Sequence, residues 1–222
     1  MRLRRAWLVA ERELLAERAQ PDGLAAAVGL TAILVFVESL LVGPAMVAAN
    51  PAIASALLWI AVTLGAILAI TRSFDRELED DALEGVLALP GGGDALYAGK
   101  VIAATLLLAL VAIAGAALTV LLLDLDVALP GHLALVTLTG ALAIPPLITL
   151  YVAISLRLRA RALLVPLLAV PALVPQLIAA SAGTAAALGG DAAGSLAWCA
   201  LLLASGLASV AAGLTIGAAG IE

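Results

Sequence analysis

The chain has 222 residues, of which 64% are hydrophobic and 12% are charged, and its formal net charge is −5. Soluble domains are about half apolar and a quarter charged, so this composition and a mean hydropathy of +1.20 exclude a soluble core and indicate a polytopic membrane protein. With one cysteine and one histidine, a disulfide framework and a zinc site built by this chain alone are also excluded.

The first predicted element is an amphipathic helix within residues 1–22. Its apolar residues recur at helical spacing: Leu3, Trp7, Ala10 and Leu14. Arginines, among them Arg5 and Arg12, lie elsewhere on the helix. Basic amphipathic helices lie in the plane of the membrane interface, where tryptophan is enriched. We therefore predict an interfacial helix that holds Trp7 at the level of the lipid headgroups.

Six segments that follow are apolar enough to cross a bilayer, which takes about 20 residues. They cover residues 24–43, 52–71, 100–123, 132–156, 162–181 and 195–218. All 11 Lys and Arg residues lie before the first span, between spans two and three, or between spans four and five. Because basic residues collect in cytoplasmic loops, we predict a single all-α domain of six spans in the cell membrane, with both termini cytoplasmic.

Residues 72–99, between spans two and three, form what we call the charged segment. Ten charges, seven of them acidic, fall within residues 72–100. Residues 73–89 predict one helix or two short ones with an apolar face, which carries Phe74, Leu78, Ala82, Leu83, Val86 and Leu87. Pro90 and the glycines at 91–93 are expected to end this helix.

Two interpretations of the charged segment stay open. It is either an amphipathic loop on the membrane surface or a rigid projection that docks into a basic groove of another protein. Its acidity disfavours binding to an anionic inner leaflet, and connections of this length are usually functional.

A nucleotide site at the end of the charged segment is excluded. The stretch GGGDALYAGKV resembles a phosphate-binding loop, which needs four residues between its glycines and a hydroxyl residue after the lysine. Here five residues separate Gly93 from Gly99, and Val101 replaces the hydroxyl residue. We therefore expect no nucleotide hydrolysis by this chain, and we expect no catalytic residues and no metal site in it.

Within the spans, one acid and several prolines are candidates for function. Glu38 is the only acid well inside a span, and it is either a functional group or a group that reaches the outer interface. Prolines lie inside spans four and five and are expected to kink or break them: Pro145, Pro146, Pro166, Pro171 and Pro175. These kinks are either moving parts of a pathway or static features.

Over nearly its whole length, the chain resembles the CcmB family, the permease subunit of the haem exporter for cytochrome c maturation, an ABC-type transporter. The N-terminal stretch RRAWLVAERELLAERAQPD and Trp59 in span two match the family pattern. The charged segment and span five match it at Phe74, Glu77, Leu83, Glu84, Pro90, Lys100, Pro171 and Pro175. The sequence departs from the pattern at Asp81, where the family has glycine, and at Ala179 and Ala180, where it has an aromatic–glycine pair.

The resemblance implies a coupling role for the charged segment. A separate CcmA-like ATPase subunit would grip it at Phe74, Glu77, Leu78, Asp81, Leu83, Glu84 and Leu87. The N-terminal helix, with Arg5, Trp7, Arg12 and Leu14, would be an elbow helix that also touches the ATPase. Independently of the resemblance, Glu38, Pro145, Pro171 and Pro175 are the residues that the sequence offers as candidates for a translocation path or its moving elements. ATP would therefore act through the partner, and this chain would be no enzyme.

The resemblance also implies partners and a cargo. A CcmC-like membrane subunit would handle haem, which this chain would transport or handle without binding it as a cofactor, and two copies of the chain can form a homodimer. Membrane lipid is a partner and nucleic acid is not. The output is either haem delivery or release of the haem chaperone. Alternatives are an ABC exporter of a lipid, drug or polysaccharide, a secondary transporter, for which Glu38 lies off-centre, and a structural scaffold.

Overall fold

The protein is an all-α bundle in a computed structural model that describes residues 2–79, 92–156 and 161–217. The described ranges contain no strand. Their helices are α1 (Arg2–Ala19), α2 (Asp22–Ala49), α3 (Pro51–Glu79), α4 (Gly92–Leu122), α5 (Pro130–Ser155), α6 (Arg161–Gly189) and α7 (Ala192–Ala212), which a π-helical turn (Gly213–Gly217) continues. Helices α2 to α7 are long and apolar enough to cross a membrane, which confirms the predicted fold class and six spans.

The two helices that flank the charged segment extend beyond the predicted spans. Helix α3 continues to Glu79, although span two was predicted to end at residue 71. Helix α4 begins at Gly92, although span three was predicted to begin at residue 100. Both ends of the charged segment are therefore rigid extensions of spans. Gly92 and Gly93, which were expected to end the preceding helix, form the first turn of α4, next to Asp94.

Helices α3 and α5 are the most buried spans of the bundle. Trp59 of α3 is 1% exposed, and its Nε1 donates a hydrogen bond to Thr184 Oγ1 of α6 at 2.9 Å. Gly140 of α5 makes room for the indole, since a Cβ there would lie 2.1 Å from Trp59 Cη2. One aromatic side chain thus joins three helices.

The prolines of α5 and α6 lie inside continuous helices. The expected break therefore does not occur at them. A break occurs instead in α2, where Gly43 adopts a positive φ of 70° directly before Pro44. Glycine adopts this conformation without the steric cost that a side chain brings. The Tyr97 hydroxyl donates to the Pro146 carbonyl at 2.9 Å, which ties α4 to the proline region of α5.

Candidate functional site

A buried ionic cluster lies where α1, the end of α3 and the start of α4 meet. We call this end of the molecule the basic end. The cluster has seven members: Arg12, Glu13, Glu17, Ser73, Arg76, Glu77 and Lys100. Three acids face three bases, so the cluster is balanced in charge.

Lys100 of α4 is the centre of this ionic cluster, and it is only 2% exposed. Its Nζ lies 2.5 Å from Glu13 Oε2 and 3.1 Å from Glu77 Oε1. It also donates to the carbonyl of Ser73 at 2.9 Å and to Ser73 Oγ at 2.8 Å. The Phe74 ring centroid is 5.2 Å away, within the range of a cation–π contact. One ammonium group therefore holds α1, α3 and α4 together.

Arg76 of α3 connects the cluster to the corner between α1 and α2. Its guanidinium lies 2.9 Å from Glu13 Oε1 and 2.7 Å from Glu17 Oε2. The Glu17 carboxylate also accepts a hydrogen bond from the backbone N–H of Leu24, in the first turn of α2. Free N–H groups at a helix start need such an acceptor. Glu17 therefore binds α1 to α2 and α3 at once.

Small residues let α1 approach α4 closely. Ala6 and Ala10 are buried, and a Cβ at Gly99 would lie 2.5 Å from Val9 Cβ and 2.8 Å from the carbonyl of Ala6. Glu13 and Glu17 continue this buried face at helical spacing. Ala10, which the sequence placed with Trp7, thus belongs to the face that packs on the bundle.

The predicted coupling residues fall into three groups. Phe74 and Glu77 are 1% and 4% exposed, so their side chains contact this chain itself. Leu78 lies in the last turn of α3. The other four lie outside the described residues: Asp81, Leu83, Glu84 and Leu87.

The predicted elbow residues lie on or beside the outer surface of α1. Trp7 is 54% exposed, Arg5 is exposed and Leu14 is half-buried. Arg12 reaches inwards from this surface and pairs with Glu77. Among them, Arg12 alone is a member of the ionic cluster.

The structure distributes the predicted pathway residues over three helices. Glu38 is half-buried on α2, Pro145 is buried in α5, and Pro171 and Pro175 are exposed on α6. These four residues thus differ both in their helix and in their exposure. Among the described residues, no group of three or more His, Cys, Asp and Glu side chains could hold a metal ion.

Two apolar grooves flank α4 and α5. One, of about 410 Å³, also borders α7 and is lined by residues that include Thr105, Leu142 and Leu207. The other, of about 580 Å³, is lined by residues that include Val120 and Pro130. No charged side chain lines either groove, so both suit lipid chains or apolar helices.

The sequence prediction missed Glu13, Glu17, Ser73 and Arg76 as members of the site. The sequence carried one signal for the two acids. Glu13 and Glu17 follow Ala6 and Ala10 at helical spacing, so they lie on the same face of the helix as these two small residues. Acids on such a face of a basic helix indicate buried partners, since buried charges are almost always paired.

Glu13 should make the stability of the protein depend on pH. Its burial favours the neutral form, but the Lys100 charge and hydrogen bonds from Lys100, Ser73 and Arg76 outweigh burial and hold the pKa of Glu13 below its ordinary value of 4.5. A lowered pKa stabilises the fold above the unfolded value. We expect this stabilisation to be complete above about pH 4.5 and to be lost as pH falls through the folded value.

Thermal unfolding of the chain in detergent between neutral and acidic pH tests this expectation. Glu13→Gln should be less stable near pH 7 and should lose less stability on acidification than the native chain. Glu11→Gln removes an exposed acid of the same helix and should follow the native curve. A Glu13→Gln variant with the native pH profile would contradict the lowered pKa.

The chain matches a known protein family. The family model described as CcmB protein matches residues 4–221, nearly the whole chain. The matched range includes the whole ionic cluster and all six spans. Comparison with curated proteins gives no significant match.

Proposed function

Because this chain belongs to the CcmB family, whose members are the permease component of the haem exporter for cytochrome c maturation, we propose that its charged segment couples ATP hydrolysis in a partner subunit to movement of the spans. A permease component is a transporter subunit and not an enzyme. The observation that carries this proposal is Lys100, buried between Glu13 of α1 and Glu77 of α3.

The proposed coupling follows the contacts of the ionic cluster. A CcmA-like ATPase subunit binds the charged segment, and its closure on ATP displaces the segment. Because α3 and α4 enter the segment as continuous helices, the displacement acts directly on two spans. Lys100 and Arg76 connect the same displacement to Glu13 and Glu17 of α1, and Glu17 connects it to α2. Three spans and α1 then move together.

The partners and the orientation follow from the same proposal. The basic end faces the cytoplasm, both termini lie there, and the complex resides in the inner membrane. A CcmC-like subunit handles haem, and the apolar grooves beside α4 and α5 suit a membrane partner or a second copy of this chain. The output is delivery of haem or release of the haem chaperone on the outer side.

A pull-down of the tagged full chain in mild detergent tests the proposal. Glu84→Lys should remove most of the recovered ATPase, because Glu84 lies in the charged segment and a reversed charge repels a basic groove. Glu77 is unsuitable for this test, because its side chain is buried in the ionic cluster. Asp126→Lys is the matched control. It makes the same charge change at an exposed position between α4 and α5, at the opposite end of the bundle, and should leave recovery unchanged.

The outcomes separate the proposals. Recovery of an ATPase together with a haem-handling subunit supports both the coupling and the cargo. An ATPase recovered with other membrane subunits supports the coupling and favours another ABC exporter. Equal recovery of the ATPase by Glu84→Lys and by the native chain would show that Glu84 does not lie in the interface. Recovery of no ATPase in several mild detergents would contradict the coupling.

A further inference from the structure

The outer surface of α1 is far more basic than its sequence suggests. Between residues 4 and 19 the helix carries three acids, but Glu13 and Glu17 are buried and compensated by Lys100 and Arg76. Glu11 is the one acid of this range that stays exposed. Arg4, Arg5 and Arg18 of the same range are exposed, while Arg12, 48% exposed, pairs with the buried Glu77. Folding thus removes negative charge from the face that α1 turns outwards.

Apolar side chains stand among these arginines. Trp7, Leu8 and Leu15 are each more than half exposed. Arg4, Leu8 and Leu15 follow one another at spacings of four and seven residues, which places them on one face of a helix. Trp7 and Arg18 lie beside that face, eleven residues apart along α1. This outer surface therefore carries an arginine near each end, Arg4 and Arg18, with the apolar side chains and the exposed Glu11 between them.

We propose that this surface of α1 selects anionic phospholipid headgroups at the membrane surface next to the basic end of the molecule. Arginine binds phosphate with paired N–H donors, exposed leucines enter the boundary between headgroups and acyl chains, and tryptophan favours the headgroup level. A protein partner would explain the arginines but would also need to cover Leu8 and Leu15. The ionic cluster fixes the position of α1, since Glu13 and Glu17 hold it against α3 and α4 beside the first turn of α2.

Binding of anionic lipid by α1 depends neither on the cargo nor on the ATPase. It requires only that α1 lies at the membrane surface next to the basic end. Burial of Glu13 and Glu17 then has a second consequence, which is the positive charge of the outer surface of α1. If both acids faced outwards, α1 would carry nearly balanced charge and would have little preference for anionic lipid.

Fluorescence quenching by brominated lipids tests the inference on the full chain in phosphatidylcholine vesicles. Equal small fractions of brominated phosphatidylglycerol or brominated phosphatidylcholine are added in parallel. The difference between the native chain and Trp7→Phe isolates the signal of Trp7, since Trp59 and Trp198 are present in both. We expect brominated phosphatidylglycerol to quench Trp7 more strongly than brominated phosphatidylcholine, and we expect added salt to reduce the difference.

Arg4→Gln combined with Arg18→Gln should reduce quenching by brominated phosphatidylglycerol to the phosphatidylcholine level. Glu11→Gln, which removes the exposed acid, should keep or increase the preference. Cys199 is the only cysteine and is buried, so its protection from maleimide shows that each variant is folded. Equal quenching of the native chain by both lipids would overturn the inference. So would a preference that survives the double substitution, or a double substitution that changes only recovery of the ATPase.

Discussion

Replacing Lys100 with Met should lower the free energy of unfolding by about 3–5 kcal/mol, the usual cost of removing one partner from a buried ion pair. The ammonium is 2% exposed and contacts Glu13, Glu77 and Ser73. Without it, the two buried carboxylates keep only the arginines at the edge of the cluster, and the carbonyl of Ser73 loses its hydrogen bond from the ammonium. We expect α1 to separate from α3 and α4 before the spans unfold.

The reactivity of Cys199 with maleimide during titration with a denaturing detergent measures this loss, because the only cysteine of the chain is buried. Arg72→Met is the matched control. It removes a base of similar length at an exposed position of α3, where substitutions usually change stability by less than about 0.5 kcal/mol.

A double substitution shows whether the loss comes from the ion pair. Adding Glu77→Gln to Lys100→Met should recover part of the stability, since one of the uncompensated carboxylates is then neutral and coupled residues give non-additive effects. A loss near that of an exposed pair, below about 1 kcal/mol, would show that Lys100 does not hold the three helices together.

Gly140→Ala should lower the free energy of unfolding by about 1–3 kcal/mol, the range for overpacking of a core. The added Cβ would lie 2.1 Å from Trp59 Cη2. The indole cannot move away without loss of its hydrogen bond to Thr184, and it is buried on all sides. We therefore expect α3 and α5 to separate locally, with a changed emission spectrum of Trp59.

Gly29→Ala serves as the control for this substitution. It is the same chemical change within the span formed by α2, but no atom of a neighbouring helix lies within 4 Å of its added Cβ. Alanine favours a helix over glycine, so this variant should be as stable as the native chain or more stable. Equal stabilities of Gly140→Ala and Gly29→Ala, measured by the same Cys199 assay, would contradict the close contact of Gly140 with Trp59.

Much of the architecture could be predicted because it depends on local composition. Each of the six predicted spans is a long apolar helix in the structure, since a bilayer requires about 20 apolar residues wherever a chain crosses it. The prediction that the charged segment is helical is confirmed as far as Glu79. Residues 80–91 lie outside the described ranges, and with them most of the predicted coupling residues.

The sequence predicted the region of the chain that forms the site, but it did not predict what surrounds the side chains of that region. Phe74, Glu77 and Lys100 were singled out from the sequence as parts of one motif, and the structure brings them together around one ammonium group. Their side chains were expected to face a partner, yet Phe74 and Glu77 are buried in this chain. Local periodicity places a side chain on a helix face, but it does not identify what covers that face.

Hydropathy and the distribution of basic residues are properties of short stretches of chain, and they are sufficient to specify six spans, their order and a basic N-terminal helix. Packing decided how closely α1 approaches α4, because Ala6, Ala10 and Gly99 leave room for the two helices to meet. That approach places Glu13 beside Lys100, a residue 87 positions away along the chain. An ion pair of this kind depends on the positions of three helices at once, and no local pattern encodes it.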